Sequence, residues 1–440
     1  MNSRRSFALA LVATLTGACA GRRRTTSVTD HSETSLHASA EQYVKLVLAL
    51  GQHDPDYVDA YYGPSDWADA VKRAPVPLAE LGSRASALHH ALAATAVPGD
   101  PLVAMRRNFL ARQVHALSVR VRLLRGERMS FDDESEGLYG ARAPTYAEAE
   151  FEQALRELGE LLPGQGALTD RLDAFRQDFV IPPAKLEPVF RTAMAEARRR
   201  TRAHIPLPAD ESVKLELVTG KTWDGYNWYQ GGGKSLVQVN TDLPITISHA
   251  IDVAAHESYP GHHVYNLLLE RHLVRGRGWV EFSVYPLYSP QSLIAEGSAN
   301  YGIQVVFPDE AAYLKHVLFP LAGLPGGRVE TYVKVEALVK KLRYADTEAA
   351  RRFLDGQFTR EQTRDYLLRY RLLSPKQIEK FLVNTIEDRT YVLNYNLGRD
   401  MVAAFIERKG GTSDNPAARW QLLRELLSSP VLPHDLRATG

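Results

Sequence analysis

The stretch Ala254-Ala255-His256-Glu257-Ser258-Tyr259-Pro260-Gly261-His262-His263-Val264-Tyr265 places three histidines and a glutamate within eight residues. Residues 247–255 lead into it with a helical pattern. His-Glu followed by further histidine on a helix is how zinc hydrolases present two imidazole ligands and a general base. The usual spacing sets the histidines four apart, so that one turn aims both at one ion. Here the fourth place after His256 is Pro260, and the next histidines stand six and seven residues on. A regular helix would separate His256 and His262 by roughly 9 Å along the axis and about 120° around it. His263 would return to the face of His256 but lie roughly 10 Å away. Pro260 cannot continue the hydrogen-bond ladder, and Gly261 opens backbone angles closed to other residues. The expectation is a bulge over residues 258–261 that shortens the gap and returns one of the paired histidines to the ion. The plainer alternative is a helix that stops at Pro-Gly, with surface histidines beyond it.

A site with two histidines needs a third protein ligand, and catalytic zinc often takes a carboxylate and leaves a fourth place for water. Residues 294–306 read as a second helix, in which Glu296 is a lone charge among Ala295, Gly297, Ser298 and Ala299. A carboxylate in such a setting needs a partner. Glu296 is therefore expected as the ligand beside His256 and one of His262 or His263. Glu257 follows His256 and lies about 100° from it around a helix, free to face a bound water as general base.

The motif resembles the signature of the bacterial family built on domain of unknown function 885, which is placed among the zincin-like (gluzincin-type) metallopeptidases. Further matches are Asp54-Pro55-Asp56-Tyr57-Val58-Asp59-Ala60-Tyr61-Tyr62-Gly63-Pro64, Glu296-Gly297-Ser298-Ala299-Asn300-Tyr301 and Asn394-Tyr395-Asn396-Leu397-Gly398, so the resemblance spans about residues 40–410. It implies a mostly α zincin-like fold and a zinc hydrolase, and names no substrate. The Gly-His step of simpler zincin motifs aligns with Gly261-His262, which favours His262 as second ligand and leaves His263 as the alternate. The family match also raises Tyr395 as a catalytic hydroxyl that donates to an oxyanion. Tyr391, four residues earlier, shares its face and is a substrate-binding candidate. Arg389 is a candidate for holding a substrate carboxylate.

Residues 213–218 and 235–240 alternate as strands do. Between them lies Trp223-Asp224-Gly225-Tyr226-Asn227-Trp228-Tyr229-Gln230-Gly231-Gly232-Gly233. The region resembles the small antiparallel sheet beside the metal helix of zincins, whose edge strand pairs with an extended peptide. Tyr229, Gln238 and Asn240 are its substrate-binding candidates, with core packing the alternative. The three glycines are not a phosphate loop, because Lys234-Ser235 begins a strand rather than a helix. The aromatic turn at residues 54–64 reads as structural.

Elsewhere the pattern is helical, over residues 40–177, 185–204 and 309–432, the last including a helix that carries Arg389 and runs on to Ile406. The 440 residues carry 53 basic and 52 acidic side chains, a net charge of +1 that points to no nucleic-acid partner. Residues 1–20 read as a targeting segment. Ser3-Arg4-Arg5-Ser6-Phe7 resembles a twin-arginine export signal, residues 8–15 are too short an apolar run to span a bilayer, and Leu15-Thr16-Gly17-Ala18-Cys19 resembles a lipobox. Cys19, the one cysteine of the chain, would then carry the lipid, with ordinary signal-peptidase cleavage after Ala20 as the rival. Residues 21–39 read as a flexible tether and 40–432 as one catalytic domain. The expected protein is a periplasmic or outer-membrane-associated lipoprotein that hydrolyses peptides with Zn2+ and touches the membrane only through its anchor. The alternatives are a non-catalytic exported lipoprotein with a structural or degenerate metal site, and a zinc hydrolase of another amide or ester.

Overall fold

Helix Pro290–Val306 is the axis of the molecule. Its residues are mostly apolar or small, and fourteen of seventeen are buried, as a helix without a broad polar face requires. In this computed structural model, which describes residues 28–221 and 223–437, the axis packs lengthwise against helix Leu393–Arg408. Two glycines set the approach. A Cβ on Gly297 would stand 2.4 Å from the carbonyl carbon of Gly398, and one on Gly398 would stand 2.7 Å from Leu293 O. No larger residue fits at either place without parting the helices.

Helices Val28–Leu50, Leu78–Ala94 and Pro101–Leu124 form a layer on one side. The first starts earlier than expected, so residues 28–39 are helical rather than a tether. Leu36 continues the buried stripe of Ala40, Tyr43, Val44 and Val47 toward the N-terminus, which gives this turn a face to bury. The leader, Cys19 and the rest of the tether lie outside the described residues. Arg106 of Pro101–Leu124 grips Glu281 with bonds of 2.5 and 3.0 Å, both side chains wholly buried. That pair fixes the layer to the segment before residue 284, and removing either partner would strand a buried charge.

Two small sheets complete the fold. Strand β1 (Val58–Tyr61) pairs with β5 (Val284–Pro286), so part of the aromatic turn is a strand. The other sheet holds β2 (Ser212–Val218), β3 (Gly225–Tyr229) and β4 (Lys234–Asn240) in the order β2-β4-β3. It is mixed, not antiparallel: β2 runs parallel to β4, and only β3 and β4 are antiparallel. The stretch expected to link two strands supplies the third, since Asn227 and Tyr229 alternate inward as a half-buried strand requires. Gly231, Gly232 and Gly233 all have positive φ, which makes the β3–β4 turn a glycine turn. The C-terminal third is mostly helical as the pattern predicts, with a helix end at Leu372 and a further break at Arg389. There φ is +53°, and a 3-10 turn, Arg389–Val392, precedes helix Leu393–Arg408.

Candidate metal centre

The motif departs from a regular helix twice. Helix Ile247–Val253 widens into a π turn over Ala254–Ser258, then breaks, and Helix His262–Leu269 begins. The Tyr259–Pro260 bond is cis. Tyr259 N and Gly261 N still reach back to Ala254 O and Ala255 O, each at 2.9 Å. That folding-back leaves no room for a side chain at position 261, where a Cβ would stand 1.8 Å from His256 O. The break therefore depends on glycine. It brings His262 Nε2 to 3.0 Å from His256 Nε2, with the rings perpendicular. The shortened gap expected from Pro260-Gly261 is present, and its π turn starts four residues earlier than the bulge read from the sequence.

Glu296 on the axial helix meets the pair, with Oε2 3.2 Å from His256 Nε2 and Oε1 3.6 Å from His262 Nε2. Ligand atoms about 2.1 Å from one ion in tetrahedral array are about 3.4 Å apart. The three separations match that spacing. His256, Glu257 and His262 also have ligand atoms within 4.8 Å of one another, but Glu257 Oε1 lies 4.0 Å from His256 Nε2, farther than Glu296. Glu296 Oε2 is buried without a hydrogen-bond partner. Two imidazole nitrogens and a carboxylate turned toward one point are a donor set that a cation site needs.

Neighbours hold these groups in place. The Tyr391 hydroxyl donates to Glu296 Oε1 at 2.7 Å, and the glycine contact of the two helices brings it there. His256 Nδ1 pairs with Asn300 Oδ1 at 3.2 Å, which leaves Nε2 free for a ligand. Asn300 Nδ2 in turn donates to Tyr395 O. Asn227 of β3 donates to Glu257 O at 2.5 Å. Burial alone would lower both imidazoles, yet Glu296 and Glu257 push His256 up to about 9, while His262 falls to about 4. Burial raises the Glu257 carboxyl to about 7. Burial would also raise Glu296, but the imidazoles and Tyr391 hold it below the ordinary value.

His263 points elsewhere. Its Nδ1 meets Ser235 Oγ at 2.9 Å and its Nε2 meets Glu211 Oε2 at 3.1 Å, so the alternate ligand is not at the centre. Glu211 also accepts from Tyr259 and Arg198. Tyr395 does border the centre, its ring 5.7 Å from that of Tyr391 and its side 41% exposed. Tyr391 touches Glu296 rather than open space, so it orients that carboxylate. The remaining candidates are engaged in the frame. Arg389 bonds the fully buried Glu134 at 2.6 Å, which neutralises the charge meant for a substrate carboxylate. Tyr229 donates to Glu270 at 2.5 Å. Gln238 bridges Trp228 and Glu216, and Asn240 holds Lys221 O and Trp223 O. Both lie on β4, the central strand, whose two edges are already paired. The edge beside the motif belongs to β3.

Asn300, Asn227 and Glu211 were missed. Asn300 was legible as a polar residue one turn after Glu296 on the same helix; Glu211, one of two adjacent acids ahead of a strand, carries no such signal.

No family model matches the chain, and no curated protein matches it. Among solved structures, the chain resembles a crystal structure from Colwellia psychrerythraea provisionally described as a lipoprotein, with a TM-score of 0.52 and 15% identity over 84% of this chain and 70% of that one. At that identity the likeness is one of fold.

Proposed function

We propose that the protein is a zinc-dependent hydrolase of the zincin-like type, acting on peptides. The observation that carries this reading is the convergence of His256, His262 and Glu296 at 3.0–3.6 Å, with Glu257 alongside. Zinc held by these three would supply a Lewis acid and acidify a water molecule. Glu257, beside His256, would accept the water's proton and deliver it to the leaving amine. Tyr395, at the open side, would donate to the developing oxyanion. The free edge of β3 would align an extended chain by backbone pairing. The resemblance to the domain 885 family supports the same reading.

A closed structural site would need four protein ligands. His263 is turned away, so Glu257 would have to be the fourth, and such a protein would bind zinc without turnover. Metal analysis and digestion of a peptide library by Glu257→Gln and the unaltered protein test this. One zinc per chain, with cleavage lost in the variant, is the expected result; equal cleavage by both removes Glu257 from the mechanism.

The sequence also supports export and lipid attachment at Cys19. The Colwellia neighbour's description agrees with that, and no helix among the described residues is long and apolar enough to cross a membrane. Cys19→Ala should release the chain from membranes or block its processing; unchanged membrane retention would refute the anchor.

A further inference from the structure

One carboxylate near the centre has no part in holding it. Strand β1 pairs Val58 with Pro286 and Ala60 with Tyr285, so Asp59 between them is the extra residue of a β-bulge. Bulges re-aim a side chain, and they are frequent beside active sites. The bulge turns Asp59 toward β3, where the Tyr226 hydroxyl donates to its Oδ1. Residues on either side of Tyr226 lie against the catalytic glutamate. A Cβ on Gly225 would stand 3.4 Å from Glu257 Oε1, and Asn227 bonds Glu257 O. Asp59 lies beside the start of the edge strand, near enough to Glu257 and Glu296 for its charge to be felt by the first and to feel the second.

Its charge is unanswered. Among the described residues no lysine, arginine or histidine forms an ion pair with Asp59, and Oδ2 accepts no hydrogen bond, whereas Asp54 five residues earlier is held by Arg120 at 2.7 Å. Burial, with Glu296 adding to it against the Tyr226 bond, raises the Asp59 carboxyl to about 7. A cation beside it would relieve that cost.

We propose that Asp59 is a specificity-determining residue that receives the free α-ammonium group of a peptide substrate, so that cleavage proceeds from the N-terminus. An extended peptide on the edge of β3 would bring its terminal amine to Asp59 while its first carbonyl faces Glu257. The Asp59–Tyr226 bond fixes one carboxylate oxygen and leaves the other for the amine. This inference rests on the zinc-peptidase reading.

The test is calorimetric binding of tetra-alanine, of its N-acetyl form and of an N-acetylated alanine peptide with one lysine to zinc-loaded Glu257→Gln protein, with and without Asp59→Asn. Asparagine keeps the size and an acceptor for Tyr226. Free tetra-alanine should bind roughly tenfold or more tightly than its acetylated form, the scale of one charged hydrogen bond. Asp59→Asn should erase that preference and leave zinc content unchanged. Equal affinity for free and acetylated tetra-alanine overturns the proposal, and so does a preference that follows the lysine rather than the terminal amine. Library digestion by the unaltered protein reports separately on the peptidase reading: internal cleavage of acetylated peptides would uphold that reading and defeat this one.

Discussion

Two buried clusters share one motif and differ in a single respect. On one side His262, His256, Glu296 and Tyr391 meet; on the other His263, Glu211, Tyr259, Arg198 and Ser235 meet. Each has imidazole, a carboxylate and a tyrosine hydroxyl that donates to it. In the second cluster every named polar side chain has its partner, and the result is a rivet between strand β4, the basic helix Leu186–Arg202 and the motif. In the first, Glu296 Oε2 and His262 Nδ1 are left without a hydrogen bond. Composition alone would not tell the clusters apart. Unmet hydrogen-bonding capacity does, because buried polar atoms are rarely left so without a reason.

Substitutions at the ligands break the comparison most severely. His256→Ala and Glu296→Ala should reduce zinc from one per chain to none, with loss of activity, measured by metal analysis. Glu257→Gln should keep zinc and fold while turnover falls by roughly a hundredfold or more; a variant that loses zinc as well would make Glu257 a ligand. Glu211→Gln should leave zinc in place and cost about 1–2 kcal/mol in denaturant unfolding, since it weakens the buried bonds from Tyr259 and His263 while Arg198, 39% exposed, turns to water. Burial would raise the Glu211 carboxyl, but bonds from His263, Tyr259 and Arg198 hold it down to about 2. Its contribution is therefore present above the ordinary carboxylate value of 4.5 and lost as pH falls from there toward 2. The stability gap between Glu211→Gln and the unaltered protein should close over that interval; a gap constant down to pH 2 contradicts it.

The smallest effects separate two tyrosines one turn apart. Tyr391→Phe removes the donor to Glu296 and should weaken zinc affinity by about tenfold to a hundredfold, read by competition with a chelator. Tyr395→Phe should hold zinc normally and lower kcat with little change in KM, as loss of a transition-state contact does. An exchange of these two outcomes would exchange their roles.

Much of the centre could be read locally. Pro260-Gly261 announced the break, and a lone glutamate among small residues announced Glu296, because both signals lie within a few positions of the residue concerned. What escaped depends on contacts between distant segments. Arg389 looked free until Glu134, 255 residues earlier in the chain, came to face it. Gln238 and Asn240 looked like an edge until Gly225–Tyr229 turned out to be a strand and made β4 central. Asp59 stood in a motif that read as a structural turn, and Tyr57, Tyr61 and Asp54 do serve structure there; the bulge that turns Asp59 alone toward the centre is set by the register against β5, which no local pattern encodes.

The meeting of Gly297 and Gly398 bears on the order in which the protein matures. Glu296 is aligned by Tyr391, and Asn300 is anchored by the backbone of Tyr395, both from a segment about a hundred residues downstream. A ribosome that has released the whole motif, and Glu296 with it, has still not made the hydroxyl that orients Glu296 or the carbonyl that anchors Asn300. The complete arrangement must wait for the helix that begins at Leu393 to arrive against the axis. Under the zinc reading, tight metal uptake would report that the late part of the chain has folded, and a twin-arginine route, which carries folded cargo, would let that report be completed before the protein leaves the compartment where it was made.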